Sequence, residues 1–330
     1  MKTFITFLIA MTVMPAPRAE DLPLTMAGAI ELPRVEGRID HMAFDAATGR
    51  LYVAALGNNT VEVLDTQALK HVTSLQGFAE PQGIAVVPDR RLAVIANGRN
   101  RRVQFVDADT DKPMAALHVG DDADNVRYDA NAGRVYVGYG DGAIAAIDPK
   151  DGKLLSEVKV AGHPESFQLE HSGNRIFVNV PDAKQVAVID RSSMKVTATW
   201  SVTAAAANFP MALDEANHRI FIGCRRPAKA LVFDTTSGKQ INAFDIVGDT
   251  DDLFYDASRK RLYISGGEGF VDVVAERSSN SFARIAHMPT AAGARTSLFT
   301  ADQSRFYLAV PHRDGQRAEI RVYGVGTDKS

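Results

Sequence analysis

The chain has little of the residue chemistry that usually announces a catalytic centre. Cys224 is its only cysteine, so no disulfide forms within the chain, and the C-x-x-C-H attachment of haem in its usual form is excluded. Neither a G-x-S-x-G elbow nor an H-E-x-x-H helix occurs, which leaves the common serine-hydrolase and zinc-protease patterns without a footing. No stretch approaches the twenty apolar residues that a helical span needs, so no membrane span is expected. Lys and Arg number 37 against 40 Asp and Glu, a formal net charge of −3. The positive field that nucleic acid requires is therefore missing, and no nucleic acid is expected as a partner. Arg99, Arg101 and Arg102 are followed closely by Asp107, Asp109 and Asp111 and read as a solvated edge. Arg225 and Arg226 with Lys229 form a basic turn on a blade edge that could meet an anionic partner, with a solvated turn as the default reading.

What is present is a repeat. Apolar strands begin at Leu51, Leu92, Val135, Ile176, Ile220, Leu262 and Phe306, spaced by 41 to 44 residues. The strand that follows closes on Asp at Asp65, Asp107, Asp148, Asp190 and Asp234. A period of this length with about four short strands per unit is the mark of a β-propeller. The first unit shows the plan: His41–Phe44 as innermost strand, a turn over Asp45–Gly49, a second strand from Leu51, a turn at Gly57–Asn59, a third strand over Thr60–Asp65 and an outer strand over His71–Leu75. The seventh unit lacks its fourth strand, while Thr25–Leu32 precedes the first unit without belonging to it. The expectation is an all-β, seven-bladed β-propeller whose last blade is closed by this N-terminal strand, with no exposed sheet edge at the seam. With no linker between units, residues 20–330 are expected to form one domain.

Residues 1–19 are of another kind. Lys2 precedes the apolar run Phe4–Met11, and the small residues Ala16 and Ala19 offer a cleavage point before Glu20. This is the pattern of a secretory signal peptide, and it implies a periplasmic or secreted protein. Cys224 follows Ile220–Gly223 in a strand and reads as a small buried residue rather than a nucleophile. Gly266-Gly267-Glu268-Gly269 links two strands with no helix after it, and so reads as a hairpin turn rather than a phosphate loop.

The stretch from Leu51 to Asp65, Leu-Tyr-Val-Ala-Ala-Leu-Gly-Asn-Asn-Thr-Val-Glu-Val-Leu-Asp, resembles the repeat of the YVTN β-propeller family, the exported YncE-like propellers. The resemblance extends over essentially all of the chain after the leader. It implies a seven-bladed fold and export, and it carries over no catalytic residue.

In a propeller the residues just before each innermost strand gather round one mouth of the central channel. That position holds Asp40-His41, Gln82-Gly83, Asp124-Asn125, Glu165-Ser166, Asn208-Phe209, Asp251-Asp252 and Arg295-Thr296. The candidate ligand-binding residues are therefore Asp40, His41, Asp124, Asn125, Glu165, Asn208, Asp251, Asp252 and Arg295. Carboxylate and amide oxygens with an imidazole suit a divalent cation such as Ca, Mg, Mn or Zn. The family is similar in architecture to the lactonase propellers, in which Glu, Asn and Asp from separate blades surround one divalent ion. Glu165, Asn125 and Asp252 offer that chemistry, although the spacing motifs of the lactonases are not reproduced. Equally, Asp and Asn before a strand commonly cap turns or stay hydrated. The expectation is a binding module that holds a small polar ligand or a divalent cation at the mouth, with room for a protein partner and with the monomer as its expected state. A metal-dependent, lactonase-like hydrolase and a non-catalytic scaffold are the alternatives, and whether turnover occurs is open.

Overall fold

The computed structural model describes residues 22–326; the signal-peptide pattern at residues 1–19 lies outside them. Seven four-stranded antiparallel sheets stand around one axis, and six of them take their strands in chain order from the axis outward. The seventh carries Ser297–Thr300, Arg305–Val310 and Glu319–Val325, with Leu24–Glu31 as its outermost strand. Its seam pairs Leu24 with Val325, Ile30 with Ile320 and Glu31 with Glu319. The closing strand, Leu24–Glu31, lies one residue earlier than the sequence pattern places it, and Leu32 N–H still donates to Ala318 O at 2.9 Å just beyond its end.

The burial pattern of a blade follows its place in the wheel. Second and third strands, such as Arg50–Ala55 and Thr60–Asp65, are buried along nearly their whole length. Each is covered on both faces by a neighbouring blade, which is why they read as continuous apolar runs rather than alternating ones. Outer strands such as Lys195–Ser201 are exposed almost throughout. The core is accordingly divided among the blade interfaces. One apolar cluster joins Leu51 and Val53 of blade one to Tyr307 and Ile320 of blade seven, another joins Phe105 to Val137 across blades two and three, and a third joins Phe221 to Ile264 across blades five and six. Cys224 sits in the interface of blades four and five, where burial pushes its thiol up to about 12; the small-buried-residue reading agrees with this. The expected turn at Gly57–Asn59 is a short 3-10 turn, Leu56–Asn58, followed by Asn59 in the left-handed region at φ 57°. Gly266–Gly269 lies in the hairpin between Arg261–Gly266 and Phe270–Ser278.

Candidate functional site

The backbone aims the mouth residues in two ways. In blades one, three and four the pair before the innermost strand brackets the end of the second strand. Asp40 N–H donates to Ala54 O at 2.7 Å while Ala54 N–H donates to His41 O at 3.0 Å. Asp124 and Asn125 do the same with Gly138, and Glu165 and Ser166 with Asn179. In blades two, five and six the ladder slips instead, between Pro81 and Ile84, between Asn208 and Met211, and between Thr250 and Asp252. A bulge leaves an extra residue free to be re-aimed, and Gln82, Phe209 and Asp251 from those three slips all line the mouth. Gly83 sits so close to blade three that a Cβ there would fall 2.0 Å from the carbonyl oxygen of Asp124. Only glycine permits this approach.

The mouth encloses a cavity of ≈ 470 Å³. On its wall Arg38 Nη2 meets Asp40 Oδ2 at 2.7 Å. Arg225 Nη2 meets Asp251 Oδ1 at 2.5 Å, its Nε donates to Thr250 O at 2.8 Å, and its guanidinium lies 3.9 Å above the Phe209 ring. Arg295 reaches Asp251 at 3.4 Å and Asp249 at 2.9 Å. His163 Nδ1 donates to Gly140 O at 2.8 Å, and Gln82 Nε2 donates to Asp122 Oδ1 at 2.9 Å. The floor is His41. Its Nε2 stands 3.7 Å from Asp40 and 3.8 Å from Asp124, and its Nδ1 stands 3.5 Å from Asp252. His41 and Asp252 also line a second cavity of ≈ 490 Å³ along the axis.

Carboxylates here exceed the cations that could neutralise them. Burial, reinforced by the charge of Asp40, pushes the Asp124 carboxyl up to about 6, although His41 pulls the other way. Asp251 is likewise raised by burial to about 6 against the pull of Arg225. Glu165, half-buried, is raised to about 9 by desolvation and by the charges of Asp124 and Asp251, and so holds its proton at neutral pH. Burial disfavours a charged His41, yet Asp252, Asp40 and Asp124 together hold its imidazolium well above the ordinary range. Asp124 Oδ1 is buried and has no hydrogen-bond partner among the described residues.

Of the residues expected at the mouth, Asp40, His41, Asp124, Glu165, Asp251 and Arg295 line its cavity. Asp252 is turned beneath it, where its Oδ2 accepts the Ser297 N–H at 2.7 Å. Asn125, 2% exposed, lines neither cavity. Asn208 is tied between blades, donating through Nδ2 to Asn179 Oδ1 at 3.0 Å and to Gln185 O at 3.2 Å. Glu165, Asn125 and Asp252 thus do not share one cavity, because neighbours in an extended chain point to opposite sides. Among the described residues no group of three or more His, Cys, Asp or Glu is placed to hold a metal ion.

Arg225 corrects the solvated-turn reading: it is folded into the mouth by its stack on Phe209 and its pair with Asp251. Arg38, Glu80, Asp122 and His163 also line the cavity without having been singled out from sequence. Two of them had a signal. Arg38 lies two residues before Asp40 and Asp122 two before Asp124, where alternation returns a side chain to the same side.

No protein-family model matches the chain. Over 238 residues, 67% of this chain and 67% of the relative, it is 21% identical to the protein named "Uncharacterized protein YncE" of Salmonella typhimurium, and equally to its namesake in Salmonella typhi. A chain in the crystal structure of the mitotic checkpoint complex superposes with a TM-score of 0.78 at 12% identity, covering 99% of both chains. A chain of the Kuenenia stuttgartiensis hydrazine synthase does so at 0.74 and 16% identity, covering 86% of this chain and 96% of that one. The likeness to these solved structures is one of fold, and the likeness in sequence is to the YncE propellers.

Proposed function

We propose that this protein is a binding module whose channel mouth takes a small, donor-rich solute of positive charge, either an organic ammonium compound or a hydrated divalent cation. The observation that carries the reading is the surplus of acceptors. Arg38, Arg225 and Arg295 are already paired with Asp40, Asp249 and Asp251, whereas among the described residues no Arg or Lys pairs with Asp124 or Glu165. Glu165 keeps its proton at neutral pH where a cation would compete for the site, and Asp124, raised to about 6, is largely ionised beside it. A ligand cation that takes the place of that proton gains the desolvated carboxylate field without having to build it. The lining is made of acceptors, guanidinium groups and imidazoles, a set suited to holding a charged, donor-rich solute. The leader pattern at residues 1–19 would deliver the module outside the cytoplasm, where it meets solutes of this kind.

Thermal unfolding tests the proposal, with Ca²⁺, Mg²⁺, Mn²⁺, Zn²⁺, putrescine and choline as probes. A ligand bound by the native state alone raises the midpoint. At least one of these probes should raise it, more at pH 8 than at pH 5, because protons compete for the same carboxylates. The rise should vanish in the double variant Asp124→Asn, Glu165→Gln. Midpoints that no cation moves at either pH would end this reading.

A further inference from the structure

Below the His41–Asp252 floor the channel changes character. Its ≈ 490 Å³ cavity runs between the innermost strands to Pro88 and Ala130, both exposed at the opposite face. The wall is largely apolar, with Phe44, Ile84, Tyr128, Phe254 and Leu298 contributing, yet Arg127 stands in it. Among the described residues its guanidinium makes only neutral contacts. Nη1 donates to Val126 O at 2.9 Å, Nη2 donates to Ser166 Oγ at 3.3 Å, and the group lies 5.5 Å from the centre of the Phe167 ring. Every other arginine of the two cavities is paired: Arg38, Arg225 and Arg295 each have a carboxylate within 4.0 Å. Asp252, the carboxylate that shares the channel with Arg127, is already occupied by His41 Nδ1 at 3.5 Å and by the Ser297 N–H at 2.7 Å. Burial lowers the pKa of Arg127, and the more distant charges of Asp252 and Asp124 only partly offset that.

An unpaired guanidinium facing an apolar cavity is costly to keep charged, and the group that best matches its fork is a carboxylate. We propose that the axial channel is a second binding site, one for a small amphipathic organic carboxylate, whose anionic end meets Arg127 and whose hydrocarbon end lies against Phe44, Phe254 and Leu298. A pocket that joins a broad apolar wall to one placed polar group is the usual form of a small-molecule site. The two sites differ in sign: the mouth holds spare acceptors and the channel a spare donor. They are also entered from opposite faces of the wheel, so the channel site does not depend on the mouth being a cation site.

The probes are benzoate and hexanoate, with benzyl alcohol as the neutral match and inorganic phosphate as the anion without hydrocarbon. Binding to the purified full chain is read by saturation-transfer NMR and calorimetric titration. Benzoate and hexanoate should bind with millimolar or tighter affinity, and benzyl alcohol and phosphate at least about tenfold more weakly, since the charge-assisted bond and the apolar contact each contribute that much. Arg127→Met should abolish the preference for benzoate over benzyl alcohol. That comparison within one chain also holds for wild type alone, should the variant fail to fold. Equal binding of benzyl alcohol, equal binding of phosphate, an unchanged preference in Arg127→Met, or no carboxylate bound at about 10 mM would each overturn the proposal. Cations and carboxylates are scored by separate probes, so failure at the channel leaves the mouth reading standing, and the reverse.

Discussion

In blades one, three, four and six the innermost strand begins and ends near a carboxylate, and blade six shows how differently the two ends behave. In blade six, Asp251 at the start is raised to about 6, whereas Asp256 at the end is lowered. The difference lies in their partners. Asp256 is 2% exposed, and burial alone would raise it, but Ser258 Oγ at 2.6 Å, Arg259 Nη1 at 2.8 Å and two backbone N–H groups outweigh that. Asp45, at the end of the blade-one strand, accepts from Ala47 N, Thr48 Oγ1 and Arg91 Nη1, and is lowered in the same way. Asp214 is held by Asn217 and Arg219. These distal carboxylates close turns and link blades. At the mouth, Asp124 and Glu165 have no such partners, and the field they create is available to a ligand. One residue type serves architecture at one end of a strand and leaves a site open at the other; donor supply decides which.

The sharpest way to break the contrast is to remove a donor at the distal end. Arg219, 4% exposed in its side chain, bridges Asp214 at 2.6 Å and Glu276 at 2.8 Å, so it ties blade five to blade six. Arg219→Ala strands two buried carboxylates and should cost about 3–5 kcal/mol, read as the fall in unfolding free energy by urea titration. A loss below about 1 kcal/mol would place this pair with weak surface pairs and undo the distinction. A milder version changes the acceptor: Asp256→Asn removes charge from bonds with Ser258 and Arg259 and should cost about 1–3 kcal/mol at pH 7. The sign with pH follows from the lowered pKa. The stabilisation is present above the ordinary carboxylate value and is lost as pH falls through the folded value, so wild type and variant should converge in acid.

The distal ring was the more legible of the two in the sequence. Asp45-Ala-Ala-Thr-Gly49 reads as a turn because the Asp–Thr–Gly chemistry is local, and the seven-fold period gave blade number and ring closure, because both follow from spacing that a single chain displays. The mouth was legible only in part. Asp40, Asp124, Glu165 and Asp251 were found from their place before the innermost strands. Whether Asp251 or Asp252 faces the cavity, however, depends on a bulge after Thr250 that leaves no mark in residue type. Asn125 and Asn208 failed as lining residues for the same reason, since one step along a strand reverses the side. Arg225 was misread because its partners, Phe209 and Asp251, lie 16 and 26 residues away and meet it only after blades five and six have packed.

The proximal end gives the most discriminating effect, since there removal of the ionisable group should stabilise. Glu165 is raised to about 9 in the folded chain, against an ordinary value near 4.5. Below about pH 4.5 both folded and unfolded chains carry the proton, and the folded state suffers no penalty. As pH rises from there towards the folded value the unfolded chain gives up its proton while the folded chain keeps it, so stability falls across that window. Glu165→Gln cannot ionise in either state and should remove that slope. It should match wild type near pH 4 and exceed it by about 1 kcal/mol or more at pH 8, one pKa unit being about 1.36 kcal/mol. Urea titration at the two pH values checks this. A variant less stable than wild type at pH 8 would mean that Glu165, like Asp256 at the far end, is held by partners and contributes to the framework, and the mouth would then lose the charge surplus that sets it apart.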